Sequence, residues 1–257
     1  MNESEFKAAA RKFLNQLGLE VRDIPEKGDG QSPDFDVIGK TSRYTIELKI
    51  KSDDPLEILN DEAALKRGEL VSKRIPIGPR NRLAGIIRKG VGQILDHDPE
   101  KRTYHIIWIH SAGEDPELHN RRFHSTIFGT EKLISIRRDN VITCYYFHDS
   151  AFFSWREFLD GAILTYLNSA QLCINTLSPR VEEFRASELT VAMSKGLCDP
   201  HKLERQSADV MIADCSIDRK HSEDILRYLQ GKYHLDHLQP IPMQQLTGMI
   251  AVPGDES

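Results

Sequence analysis

The 257 residues, 39% hydrophobic and 28% charged, suffice for one large domain or a domain with an extension, and neither value suggests disorder. No stretch approaches the roughly eighteen consecutive apolar residues of a membrane span, and Met-Asn-Glu-Ser-Glu lacks the basic and apolar regions of a signal peptide, so a cytosolic protein without membrane association is expected. The net charge of −5 gives no argument for a nucleic-acid partner.

Residues 2–17 read as an amphipathic helix with Phe6, Ala10, Phe13 and Leu17 on one face and Gly18 as its stop. Asn2-x-x-Glu5 is a capping-box pattern. Leu19 to Ile24 reads as a short strand, followed by a polar, Gly-rich loop over 25–30.

The next stretch, Ser32 to Lys51, alternates apolar and polar residues on both sides of a Gly39-Lys40-Thr41-Ser42 turn and predicts a β-hairpin. Ile46, Leu48 and Ile50 then share one face, and Thr45, Glu47, Lys49 and Lys51 the other; in the first strand Asp34 and Asp36 oppose Phe35 and Val37. Carboxylates one strand-spacing apart can hold Mg²⁺ through oxygen ligands, and a lysine two residues after the glutamate sets a cation beside an attacking water or a charging phosphoryl oxygen. The chemistry this suggests is metal-assisted phosphodiester cleavage.

Pro33-Asp34 followed by Glu47-Leu48-Lys49 resembles the signature of the PD-(D/E)XK nuclease superfamily, which includes restriction endonucleases, Holliday-junction resolvases and recombination exonucleases. The resemblance covers about the first hundred residues. Phe35-Asp36-Val37-Ile38-Gly39 also resembles the apolar-Asp-apolar form of methylation-dependent restriction enzymes, so Asp34 and Asp36 both stand as the acidic ligand. The resemblance implies a restriction-endonuclease-like α/β/α core with a mixed central sheet. It implies Mg²⁺, for which Mn²⁺ can substitute, held by Asp34 or Asp36, Glu47 and the Leu48 carbonyl. Members of the superfamily often add a glutamate from the preceding helix, here Glu5, although the capping reading of Glu5 is preferred.

From Ser52 the chain runs longer than a usual connection and is expected to be a functional loop or to carry a helix around Leu56 to Arg67. Lys66, Arg67, Lys73, Arg74, Arg80, Arg82, Arg88 and Lys89 face Glu69 alone across 66–89, a basic segment on an acidic body. Lys73, Arg74, Arg80, Arg82, Arg88 and Lys89 are the candidate phosphate contacts of this insertion (about 52–82) and the helix after it. Leu83, Ile87, Val91 and Ile94 form that helix's apolar stripe, and Arg82, Ile86, Lys89 and Gln93 one flank. By the resemblance, Gln93 orients water or a phosphate oxygen. His97 stands where the recombination exonucleases have tyrosine, which weakens an exonuclease assignment.

Tyr104 to His110 reads as a strand covered on both faces, reached through a crossover from the hairpin. A basic stretch from Arg121 to Arg138, a strand over Val141 to Phe147 and a helix over Ser154 to Leu167 follow. Cys144, Cys173, Cys198 and Cys215 are widely spaced with no Cys-x-x-Cys, which argues for reduced thiols and against a zinc cluster or a disulfide. His110, His119, His124 and His148 match no standard metal spacing and read as solvent or core histidines. From Ser178 onward the composition shifts to short elements: helices at Val181 to Ala186 and Ser222 to Tyr233, and strands at Asp209 to Cys215 and Thr247 to Val252.

These readings give an α/β protein with a nuclease-like domain over 1–177 and an α+β extension over 178–257 for recognition or partner binding. The expected activity is metal-dependent hydrolysis of DNA by an endonuclease of genome defence or DNA repair. RNA as substrate, a homodimer and an activating partner protein all stay open. The alternative is a catalytically inactive nuclease-like fold that binds nucleic acid or assembles with proteins.

Overall fold

The computed structural model describes residues 2–26, 32–76, 78–79, 81–135, 138–241 and 245–250. Helix α1 (Glu3–Gln16) opens with a complete capping box: the Asn2 side chain accepts from the Glu5 amide at 2.9 Å, and the Glu5 carboxylate accepts from the Asn2 amide at 2.8 Å. It buries Phe6, Ala10 and Leu14, one residue per turn, with Phe13 and Leu17 packed at the margin. Strand β1 (Glu20–Asp23) then pairs antiparallel with β2 (Phe35–Ile38), and β2 with β3 (Arg43–Lys51) in the expected hairpin, Phe35 opposite Ile46 and Asp36 opposite Thr45.

The long connection after β3 holds α2 (Pro55–Lys66), capped by Asp54 with Pro55 at its first position, and β4 (Val71–Pro76). Helix α2 buries no residue and leaves Leu56 and Leu59 exposed, so it lies on the body rather than in it. Helix α3 (Asn81–His97) crosses over to β5 (Tyr104–Ser111), which lies parallel to β3 with Glu47 opposite Ile107. Its predicted stripe, Leu83, Ile87, Val91 and Ile94, is fully buried, each side chain contributing about 1.5–3 kcal/mol of transfer free energy.

Helix α4 (Pro116–Phe128) ends at Gly129, whose φ of 59° a side chain would strain, and leads to β6 (Glu131–Ser135), β7 (Arg138–Tyr145) and the short α5 (Ala151–Ser154). The helix expected over 154–167 does not form: β8 (Gly161–Tyr166) runs parallel to β5 there. Ala162, Ile163 and Leu164 are buried on both faces, and such a short apolar run has no period that separates helix from strand. A Cβ at Gly161 would lie 2.8 Å from the Phe184 ring, so this strand packs at backbone distance. β9 (Ser169–Ile174) returns antiparallel to β8.

The C-terminal residues contribute α6 (Val181–Ala186), α7 (Glu188–Ala192), β10 (Leu197–Cys198), α8 (Pro200–Gln206), β11 (Val210–Ile212), α9 (Ser222–Tyr233), β12 (Leu238–Pro240) and β13 (Gln245–Ile250). They do not stand apart. Among the described residues the central sheet has the order β1-β2-β3-β5-β8-β9-β10, a second sheet β11-β7-β6-β12, and β13 pairs with β4. The fold is therefore α/β with a mixed central sheet, antiparallel in the hairpin and parallel across β3, β5 and β8.

Helix α1 and residues Phe184 and Leu189 cover one face, over Phe35, Tyr44, Ile46, Leu48 and Trp108. The other face meets α3 and α4 through Ile87, Val91, Phe123 and Ile127, with the second sheet and α9 completing that core. No described helix is long and apolar enough to cross a membrane.

One buried carboxylate ties these layers. Asp160, fully buried just before β8, accepts from the His105 amide at 3.0 Å, the Ser178 hydroxyl at 2.8 Å and Arg180 Nη2 at 2.6 Å, with Lys101 Nζ 3.2 Å away. Arg180 also donates to the carbonyls of Lys101 and Thr103 and lies over the Tyr104 ring. Asp160→Ala strands two cations and is expected to cost roughly 3–5 kcal/mol, read as a fall of about 10 °C in Tm. A shift below about 2 °C would show that this hub is not needed.

Candidate active site

Strand alternation sends Glu47 and Lys49 to the α3 side of the sheet, while Tyr44, Ile46 and Leu48 enter the apolar layer under α1. Helix α3 comes unusually close here. A Cβ on Gly90 would lie 2.3 Å from Ile107 Cδ1 and 3.2 Å from Glu47 Cγ, so glycine at this position allows the helix to rest on the two charged side chains.

One turn further on, Gln93 Oε1 accepts from Lys49 Nζ at 2.8 Å, and Gln93 Nε2 donates to the Ser32 carbonyl at 3.3 Å. Lys49 Nζ also donates to Glu47 Oε1. Asp34 enters from the segment preceding β2. Its Oδ2 accepts from the Leu48 amide at 2.9 Å and its Oδ1 from Lys7 Nζ of α1 at 2.9 Å.

Asp34, Glu47, Lys49 and Gln93 are thus brought together from three segments of the chain. Two other residues predicted from sequence are not. Asp36 lies on the same face but is bound by Arg43 Nη2 at 2.8 Å, opposite Thr45 and one strand repeat from the cluster. Glu5 is engaged in the α1 cap, where its carboxylate accepts from the Asn2 amide. Leu48 contributes its amide to Asp34 and its side chain to the core.

The electrostatics are unusual for a carboxylate. Glu47 is 2% exposed, and its Oε2 is buried without a hydrogen-bond partner. Burial, offset in part by Lys49 and reinforced by the neighbouring Asp34 charge, raises its pKa from 4.5 to about 7. A buried oxygen without a donor, beside a second carboxylate, fits a hard divalent cation better than it fits a structural ion pair.

Along the same face of β3, Lys51 opens into a cleft of about 420 Å³ that it shares with Arg82, Arg122, Asp53 and His119. Burial and the nearby Arg82 and Arg122 lower the Lys51 pKa, the mark of a crowded cationic corner. Arg88 is exposed and lines a second cleft, of about 430 Å³, beside Trp155; Lys89 is exposed on α3. Lys73 and Arg74 lie on β4 opposite Gly248 and Thr247, and Arg80 falls outside the described residues.

Sequence reading had not singled out Lys7, the Ser32 carbonyl or Gly90. Only Gly90 leaves a signal in the sequence: Gly-Val-Gly inside an otherwise regular helix marks a close approach. No protein-family model matches the chain, and no curated protein or solved structure is significantly similar to it.

The raised Glu47 pKa has a consequence for stability. Between about pH 4.5 and 7 the folded chain holds a proton that the unfolded chain has lost, so stability falls as pH rises through that window and stays lower above it. The difference is roughly 3 kcal/mol. In EDTA, Glu47→Gln is expected to raise Tm over wild type at pH 8 and to lose most of that gain at pH 5. Equal differences at both pH values would mean that Glu47 is not held protonated by burial.

Proposed function

We propose that this protein is a metal-dependent nuclease that hydrolyses phosphodiester bonds of DNA. The carrying observation is the convergence of Asp34, Glu47, Lys49 and Gln93 around a buried carboxylate oxygen with no donor. The order of elements, α1 then the β1-β2-β3 meander, α3 and a parallel β5, supports the resemblance to the PD-(D/E)XK superfamily that the hairpin residues carry. By that resemblance the protein acts as an endonuclease in genome defence or DNA repair.

In this reading Asp34 and Glu47, with the Leu48 carbonyl, would hold Mg²⁺ or Mn²⁺. When bound, the ion polarises a phosphoryl oxygen and lowers the pKa of a water. Lys7 and the Leu48 amide fix the Asp34 carboxylate. Lys49, with its ammonium at the cluster's edge, holds the attacking water and meets the charge that develops on the phosphoryl oxygens. Gln93 positions Lys49, since its amide bridges Lys49 Nζ to the Ser32 carbonyl. Arg82 and Lys51 take a flanking phosphate in the adjoining cleft.

Purified protein is expected to cut plasmid DNA with Mg²⁺ or Mn²⁺ and not in EDTA, and Glu47→Ala and Lys49→Ala to reduce the rate by roughly 10²–10⁴-fold with the fold intact by circular dichroism. Nicks in closed circles identify internal cutting. Wild type and variants that bind DNA alike and cut no DNA or RNA would replace this reading with that of a binding module. Arg82→Ala is expected to weaken DNA binding and to reduce the salt slope of log Kd by about 1. An unaltered slope would remove Arg82 from the DNA path.

A further inference from the structure

Three side chains remote in sequence meet in the core beside the second sheet. His124 on α4, Cys173 on β9 and Cys198 on β10 place one imidazole nitrogen and two sulfurs within 4.8 Å of one another. The Cys198 Sγ to His124 Nε2 distance is 3.5 Å. Cys173 and Cys198 are register partners on adjacent parallel strands, so their side chains leave the sheet on the same side at one strand spacing. Both sulfurs are buried, the imidazole is half-buried, and all four cysteines of the chain are free thiols.

We propose that this cluster is a zinc site with His124, Cys173 and Cys198 as ligands. Zinc–sulfur bonds of about 2.3 Å and zinc–nitrogen bonds of about 2.0–2.1 Å in a tetrahedron put ligand atoms roughly 3.5–3.8 Å apart, the spacing already present between Cys198 and His124. Two soft sulfurs and an imidazole select Zn²⁺ over the hard cations that suit Asp34 and Glu47. The two sites share no residue, and this inference stands independently of the nuclease reading.

Two polar groups adjoin the sulfurs: the Tyr145 hydroxyl, 4.0 Å from Cys198 Sγ, and Gln171 Oε1, 3.7 Å from Cys173 Sγ. The site also meets a structural need. β10 is two residues long and pairs with β9 only through Leu197 and Cys198. A metal joining β10, β9 and α4 fixes the edge of the central sheet at the point where α8 and β11 depart from it.

The test is a titration of the full-length, reduced, chelator-treated protein with Co²⁺, followed by competition with Zn²⁺. One equivalent is expected to give the thiolate-to-cobalt charge-transfer absorption of a tetrahedral site, and one equivalent of Zn²⁺ to abolish it. Cys198→Ser and the partly exposed His124→Asn are expected to weaken binding by more than the roughly 10–100-fold that outer-shell partners are worth, while Cys215→Ser, outside the cluster, leaves it unchanged. Absence of the charge-transfer band in reduced wild type overturns the proposal without recourse to any variant. So does a band that survives in a folded Cys198→Ser protein.

Discussion

Strand β3 is hydrogen-bonded on both edges, antiparallel to β2 and parallel to β5, and it is covered by helices on both faces. Its central side chains, Tyr44 to Leu48, are therefore committed to one of two layers. Tyr44, Ile46 and Leu48 join the apolar layer under α1, and Thr45, Glu47 and Lys49 are driven toward α3. The glutamate in this position is buried, 2% exposed. Its raised pKa, its ion pair with Lys49 and its buried, unpartnered Oε2 all follow from the strand's place in the sheet.

The helix above the site is shaped by the same constraint. Closing β3 to β5 by a crossover lays α3 across both strands, and Gly90 allows it to descend onto Glu47 and Ile107. That descent brings Gln93 to Lys49 and turns a flexible lysine into one held by two acceptors. Asp34 is fixed by the same principle from the other side, between a main-chain amide of β3 and Lys7 of α1. The cluster is preorganised by groups that are themselves packed, the condition under which a charged site keeps its geometry without bulk solvent.

The last third of the chain serves as a frame. Its helices α6 and α7 cover the central sheet opposite α3, its β10 extends that sheet, and β11 and β12 widen the second one. Asp160 and Arg180 join the two parts through hydrogen bonds that reach the start of β5. β13 even returns to pair with β4 of the insertion, so Gln245–Ile250 and the strand Val71–Pro76 form one ribbon.

The hairpin, its catalytic-looking alternation and the α3 stripe were legible because their signals are local: period two across a tight turn, period 3.6 between a start and a stop. The α1 cap, the helix at Val181–Ala186 and the helix at Ser222–Tyr233 were legible for the same reason. The run Gly161–Tyr166 was not, since a short apolar segment reads alike as strand or helix until its neighbours are known. The choice between Asp34 and Asp36 was likewise open in the sequence: both share a face, and only the reach of Arg43 to one and of Lys7 and the Leu48 amide to the other separates them. The His124, Cys173 and Cys198 cluster lies furthest from sequence reading. Its members are separated by whole elements, and no local spacing encodes a meeting that strand register and helix packing produce. The sequence by itself determined which faces were apolar and which residues could carry charge chemistry. The tertiary structure decided which of those residues meet, because proximity in this fold is set by β-pairing between segments tens of residues apart.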